Sequence, residues 1–374
     1  IGRDLSSAEL REHYHGVIYA TGGSQSRPLT LPGADSANIF GSSTFVGWYN
    51  GHPDQAALNP DLSSNTAVII GIGNVALDIA RLLVLPTEQL AKTDIADHAL
   101  KALAASGINE VCLLARRGPA QAAFTPKELE QLMAIPGLQL RVDAADLELD
   151  NATARQLEQP ENAEARQNLS LLREIAARPP GEGKRIRFMF YTSPAEFEAA
   201  DARVSAVQVQ RNQLVRDQQG ALVARPADQR DRLPAGLVVH AIGYQGSAID
   251  ELPFDSGRGV MQHEQGRIQG DAEHRDYVAG WIKRGASGVI GSNRQCATES
   301  VQRLIDDLGS SLPTRSGDIS DLLAKREVQS VSMADWLLLD QHEQARGRIE
   351  GRVRSKVVNV AEMLSVIRDA RARE

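Results

Sequence analysis

Apolar and polar positions alternate along this chain between two patterns. Short apolar runs, "GVIYATGG", "NTAVIIG", "EVCLLARRG" and "GLVVHAIGY", predict buried strands, most of them ending in small residues. Between them lie stretches of helical spacing. In "NVALDIARLLV" the residues Val75, Ala76, Ile79, Ala80 and Leu83 recur on one face, and Pro86 stops the pattern. "SSAELREHY" carries a helix-start signal at Ser7, and "TEQLAKTDIADHALKALAASG" predicts a helical insert. "TPKELEQLM" predicts a helix with Pro126 in its first turn and Glu128 and Glu130 near its positive end.

Residues 151–184 are polar and weakly patterned. "RIRFMFYTSP" and "VSAVQVQRNQLV" predict strands of a meander. Further on, "GRIQGDAEHRDYVAGWIKRGASGVIGSNRQCATESVQRLIDDL" predicts a strand, a glycine-rich loop and a helix from about Arg294. The tail from Ser310 is charged and of helical type, with Trp336 as its packing anchor. Strands alternating with helices define an α/β, mainly parallel architecture.

At 374 residues the chain exceeds the size of one hydrophobic core, so two or more domains are expected. A net charge of −7 gives no global pull toward nucleic acid or an anionic membrane, so an acidic partner would need a local basic patch. Cys112 and Cys296 form no CxxC or Cys/His cluster, which excludes a zinc ribbon and a CxxC redox pair. The histidines show no HExxH spacing, and His13 and His15 read as solvated side chains rather than metal ligands. No apolar run approaches the roughly 18 residues that cross a bilayer.

The stretch "AVIIGIGNVALDIARLL" narrows the chemistry. A dinucleotide fingerprint needs a tight strand-to-helix turn, close backbone approach to pyrophosphate, and a small residue where helix crosses strand. Gly71, Gly73 and Ala76 stand at those three places. The amides of Ile72, Gly73, Asn74 and Val75 then lie at a helix N-terminus, where unpaired N–H groups and the dipole attract phosphate. The next strand ends in Arg116 and Arg117, where an NAD site usually has a carboxylate. Two guanidinium groups suit the 2′-phosphate of NADP(H).

With those residues in view, "FVGWYNGHPD", "GIGNVALDIARLL", "ARRGPAQAAFTPKELEQL" and "GWIKRGASGVIG" together resemble the adrenodoxin-reductase-like ferredoxin–NADP+ reductases. The resemblance runs from about residue 14 to the tail. It implies two interleaved Rossmann-like dinucleotide-binding domains, one for FAD and one for NADP. It also places Glu128 beside the NADP nucleotide and matches Arg27 to a further NADP contact. Trp281 matches a residue at the FAD, and Gly288, Val289 and Ile290 match backbone positions along the flavin ring. Gln131 and Ala286 depart from the family pattern.

The family's FAD-binding GxGxxG unit precedes the first "ATG" stretch, and it is missing here. The chain is therefore expected to be a fragment. Residues 1–24 would be a remnant of the FAD-binding domain and 25–245 the NADP-binding domain with its crossover segments. Residues 246–374 would be the C-terminal part of the FAD-binding domain and the tail.

The implied reaction is hydride transfer between NADPH and FAD, then single-electron transfer to a ferredoxin, an iron–sulfur partner that is commonly acidic. Arg173, Arg178, Lys184, Arg185 and Arg187 form a candidate basic docking face. The alternatives are a glutamate-synthase-type NADPH-oxidising subunit and a catalytically inert NADP-binding fragment. The implied compartment is the bacterial cytoplasm or the mitochondrial matrix.

Overall fold

The computed structural model describes residues 1–270, 275–288, 290–309, 312, 314–315 and 317–373, with Ile290 as backbone only. The chain begins with α1 (Ser7–His13), β1 (Val17–Tyr19) and β2 (Gln25–Ser26). Next come β3 (Ile39–Gly41), α2 (Ser42–Asn50), β4 (Thr66–Ile70), α3 (Asn74–Val84), α4 (Thr87–Leu90) and α5 (Asp97–Ala104). They lead to β5 (Glu110–Leu114), α6 (Pro126–Met133), β6 (Gln139–Val142), α7 (Asn151–Leu157), α8 (Ala163–Ala177) and β7 (Arg185–Met189). Three long strands follow, β8 (Thr192–Ala200), β9 (Arg203–Arg216) and β10 (Leu222–Pro234), then β11 (Leu237–His240).

The remainder holds six short strands, β12 (Tyr244–Gln245), β13 (Phe254–Asp255), β14 (Val260–Met261), β15 (His263–Glu264), β16 (Arg267–Ile268) and β17 (Asp276–Val278). It ends in helices α9 (Trp281–Arg284), α10 (Ile290–Leu308), α11 (Ile319–Lys325), α12 (Met333–Ile349) and α13 (Val360–Arg371). Two compact units result. One joins Ile1–Arg27 to Gly243–Ala334, and the other joins Pro28–Ile242 to Asp335–Glu374.

The second unit is built on a six-stranded sheet in the order β3-β11-β4-β5-β7-β6, parallel at every pairing. Its central strands are buried on both faces, as the continuous apolar runs require. Ala67 and Ile69 of β4 pack with Leu77 and Leu83 of α3 and with Phe45 and Trp48 of α2. Val68 and Ile70 turn the other way, to Phe197, Val207 and Val209. Those three come from an antiparallel sheet, β10-β9-β8, that covers the opposite face. Each such side chain contributes about 1.5–3 kcal/mol by leaving water.

Three expectations need correction here. "RIRFMFYTSP" is not one meander strand: β7 is a parallel member of the six-stranded sheet, and Tyr191 breaks the run with φ 52° before β8 begins. The weakly patterned segment 151–184 holds α7 and α8, because Leu169, Leu172 and Ile175 give α8 a narrow buried stripe on an otherwise polar helix. Trp336 is 47% exposed, too open to be the anchor of the tail. The segment Asp335–Glu374 groups with the second unit through polar contacts instead. Ser355 Oγ donates to Asp97 at 3.2 Å, and Lys356 Nζ donates to the Asn50 carbonyl and reaches Asp94, both at 3.1 Å.

In the first unit β1 pairs in parallel with β17, and β17 with β16 and β16 with β15 are antiparallel. Tyr19, Leu252, Met261, Ile268, Val278 and Ile282 form its core. The cap of α1 is Ser6, which exchanges hydrogen bonds with Glu9 in a capping box, while Ser7 is buried. The helix after the glycine-rich loop starts at Ile290, ahead of the expected Arg294.

Candidate nucleotide-binding sites

In the second unit the turn joining β4 to α3 has the backbone that a pyrophosphate seat requires. Gly71 has φ 123°, and a Cβ there would lie 2.3 Å from the Ala241 carbonyl oxygen, so no side chain fits. Its N–H donates to the Leu114 carbonyl at 3.0 Å, which fixes the turn to the next strand. Around Gly73, by contrast, a Cβ would meet nothing within 4 Å. Gly73 is also the N-cap of α3, with no side-chain cap and no acid in the first turn. The amides of Asn74, Val75 and Ala76 therefore start an 11-residue helix with neither a capping side chain nor a countercharge.

Asn74 is turned aside from that seat. Its Oδ1 accepts the Thr125 N–H at 2.8 Å, and the Ala123 N–H donates to the Ile72 carbonyl at 3.1 Å. The loop leaving β5 is thus stitched along the glycine turn. Arg116 and Arg117 stand at the start of that loop, just past Leu114, which pairs with Ile70. Arg116 is exposed and Arg117 half-buried, and among the described residues neither guanidinium has a carboxylate partner. Burial, and after it the like charge of Arg116, pushes the Arg117 pKa below its ordinary value. A dianion bound between the two would relieve that repulsion.

Glu128 is committed elsewhere: Arg81 reaches it at 3.4 Å and also donates to Gln131 Oε1 at 2.6 Å and to Asp78. Burial, opposed by Arg81, raises the Asp78 carboxyl above its usual range. Beside the turn, His240 ends β11 in register with Ile70, and its Nδ1 is buried without a hydrogen-bond partner among the described residues.

Arg27 lies in the first unit. Its Nη2 donates to the Arg258 carbonyl at 3.0 Å, and its N–H to the Gly243 carbonyl at 3.0 Å. Trp281 opens α9 after Gly280, which has φ 75°, and its ring stacks on Tyr244 with centroids 6.3 Å apart. The indole Nε1 is buried with no hydrogen-bond acceptor among the described residues. Gly285 and Gly288 both have positive φ, and a Cβ at Gly288 would lie 2.2 Å from Ser292 Oγ. Arg284 ties this loop to α10 through Ser287, Ser292 and Asn293, and its own Nε is buried without a partner among the described residues. A bare backbone cradle beside two orphaned N–H donors fits a flavin nucleotide, which carries many acceptors. Val289 lies outside the described residues, and Ile290 is the first residue of α10.

Sequence reasoning missed the residue under this cradle. Lys283 is 4% exposed, and its Nζ reaches Glu299 at 2.7 Å and Ser300 Oγ at 3.0 Å. Its place in "GWIKRG" beside Trp281 was the only available signal.

No protein-family model matches the chain. NADPH-ferredoxin reductase FprA of Mycobacterium tuberculosis is 42% identical over 381 residues, covering 98% of this chain and 81% of that protein. The mitochondrial NADPH:adrenodoxin oxidoreductase of Homo sapiens is 38% identical over 387 residues, covering 98% of this chain and 77% of that protein. The solved structure of Mycobacterium tuberculosis FprA in complex with NADPH matches with a TM-score of 0.91 at 40% identity, covering 98% of this chain and 82% of that one. With identity of this order along nearly its whole length, the chain belongs to the family of NADPH-dependent ferredoxin and adrenodoxin reductases.

Proposed function

We propose that the chain works as an FAD-dependent NADPH–ferredoxin reductase, with the β4–α3 turn and the arginine pair as its NADPH site. The observation that carries this reading is the acid-free pair Arg116 and Arg117, held at the edge of a glycine turn whose helix N-terminus has no countercharge. The amides of Asn74, Val75 and Ala76 bind pyrophosphate, and the two guanidiniums hold the 2′-phosphate by charge-assisted hydrogen bonds. With both nucleotides bound, the flavin supplies the conversion between a two-electron hydride donor and a one-electron carrier. The chain's own contribution is to hold and exclude. Trp281 would offer its Nε1–H to the bound flavin nucleotide, and the glycines would let backbone approach a flat ring. Nothing in the comparisons favours the glutamate-synthase-type alternative.

The partner in this reading is an acidic iron–sulfur protein. Of the expected basic face, Arg178 is paired with Glu174, Arg185 lies 3.8 Å from Glu110, and Lys184 donates to the Leu83 carbonyl. Arg173 and Arg187 are exposed with no carboxylate partner among the described residues, and they are the docking residues of choice. Among the described residues no helix is long and apolar enough to cross a membrane. The proposed compartment is the bacterial cytoplasm or the mitochondrial matrix.

The test is reduction of cytochrome c through added ferredoxin, with NADPH as donor and FAD supplied. Turnover that requires FAD and NADPH supports the reading, and a protein that stays colourless and inert with both removes it. Arg173→Glu with Arg187→Glu should slow the ferredoxin-dependent rate at low salt.

A further inference from the structure

The arginine pair sits on a loop, and a separate part of the fold is spent on holding that loop still. Three consecutive carbonyls of the loop are gripped from the meander. The Ala115 carbonyl accepts the Thr192 N–H at 2.8 Å, and the Arg117 carbonyl accepts the Tyr191 N–H at 3.1 Å. The Arg116 carbonyl accepts from Asn212 Nδ2 at 3.0 Å. Asn212 is 8% exposed and donates its own N–H to the Tyr191 carbonyl at 2.6 Å. Tyr191 bridges the two sides in a left-handed conformation, φ 52°, which costs a tyrosine about 1–3 kcal/mol.

The strained tyrosine also fills space under the loop. A Cβ at Gly118 would lie 2.3 Å from the Tyr191 phenol oxygen, so the loop rests directly on the ring. Behind the ring stands Arg211, its guanidinium carbon 5.8 Å from the ring centroid. Asp146, 3% exposed, holds that guanidinium at 2.6 Å. Among the described residues, none of these groups hydrogen-bonds to the glycine turn. Tyr191, Thr192 and Asn212 meet the backbone of residues 115–118, while Arg211, held by Asp146, backs the Tyr191 ring and donates to the Phe190 carbonyl.

We propose that Tyr191 and Asn212, braced by Arg211 and Asp146, form a positioning device that sets the Arg116–Arg117 pair and thereby selects 2′-phosphorylated nucleotides. This rests on the NADPH reading of that pair. Two like charges on a slack loop would splay apart, and only a fixed backbone keeps both aimed at one phosphate.

The test compares adenosine 2′,5′-bisphosphate with 5′-AMP, which differ only in the 2′-phosphate, by isothermal titration calorimetry on the full chain. Wild type should favour the bisphosphate. Asn212→Ala removes the hydrogen bond to the Arg116 carbonyl, and Tyr191→Asn keeps the backbone bonds but removes the ring under Gly118; each should cut that preference by up to about tenfold. Arg225→Ala, exposed on β10, serves as a control and should keep it. Gly118→Ala gives the same reading from the loop's side: preference falls, and adding Tyr191→Asn restores part of it. Asn212→Ala that folds and keeps the wild-type preference would overturn the device, as would a Gly118→Ala loss that Tyr191→Asn does not relieve. A wild-type chain that does not favour the bisphosphate would overturn the NADPH reading itself.

Discussion

Asn74 and Thr125 are joined by one hydrogen bond: the Asn74 side-chain oxygen accepts the Thr125 N–H at 2.8 Å. It links the first residue of α3 to the N-cap of α6, so two helix starts are held at one edge of the sheet. Asn74→Ala leaves the Thr125 N–H without its acceptor and should cost about 1 kcal/mol of stability. Asn74→Asp keeps an acceptor there but brings a negative charge to the phosphate seat. It should therefore melt closer to wild type than Asn74→Ala does, yet bind NADPH more weakly. Thermal melts paired with NADPH titrations check this, and tighter binding by the aspartate variant would speak against the seat.

The two glycines of the turn should fail in opposite ways. Gly71→Ala meets a carbonyl at 2.3 Å with φ 123°, so it should lose roughly 1–3 kcal/mol in urea denaturation. Gly73 has φ −105° and open space at its Cβ, so Gly73→Ala should fold within about 0.5 kcal/mol of wild type. Its methyl group intrudes where pyrophosphate would lie, and NADPH affinity should fall. Equal stability losses in both variants would contradict this division.

These contrasts show what the amino-acid order makes legible. A close backbone approach admits only glycine, so Gly71 announced the turn, and Arg116 and Arg117 announced an anion because no carboxylate stood in their place. Of the six parallel strands, β4, β5 and β11 were readable because strands buried on both faces are continuously apolar, whereas the half-buried β3 and β6 were not. The clamp beneath Arg117 was not readable. Tyr191 and Asn212 are 21 residues apart, and only the turn after β7 and the register of β9 make them neighbours. The tail misled for a related reason: its attachment runs through Arg352, Ser355 and Lys356, polar residues that pattern analysis assigns to solvent. Trp336, the apolar landmark, points outward.

His240 should make the second unit sensitive to acid. Burial lowers its pKa below the ordinary 6.5, so the folded state binds fewer protons than the unfolded state between the two values. Its stabilising contribution is complete above about pH 6.5 and is lost as pH falls toward the folded value. Urea midpoints measured from pH 7.5 down to 5.5 should fall more steeply for wild type than for His240→Gln. Parallel profiles would show that His240 is solvated after all.

Cofactor preference tests the central claim most directly. The quantity is the ratio of kcat/KM for NADPH to that for NADH in FAD-dependent ferredoxin reduction, compared between wild type and Arg116→Ala with Arg117→Ala. Losing two charge-assisted contacts to the 2′-phosphate should lower a large wild-type ratio by about tenfold or more, chiefly through KM for NADPH. A ratio that stays the same in the double variant would mean that the pair does not hold the 2′-phosphate.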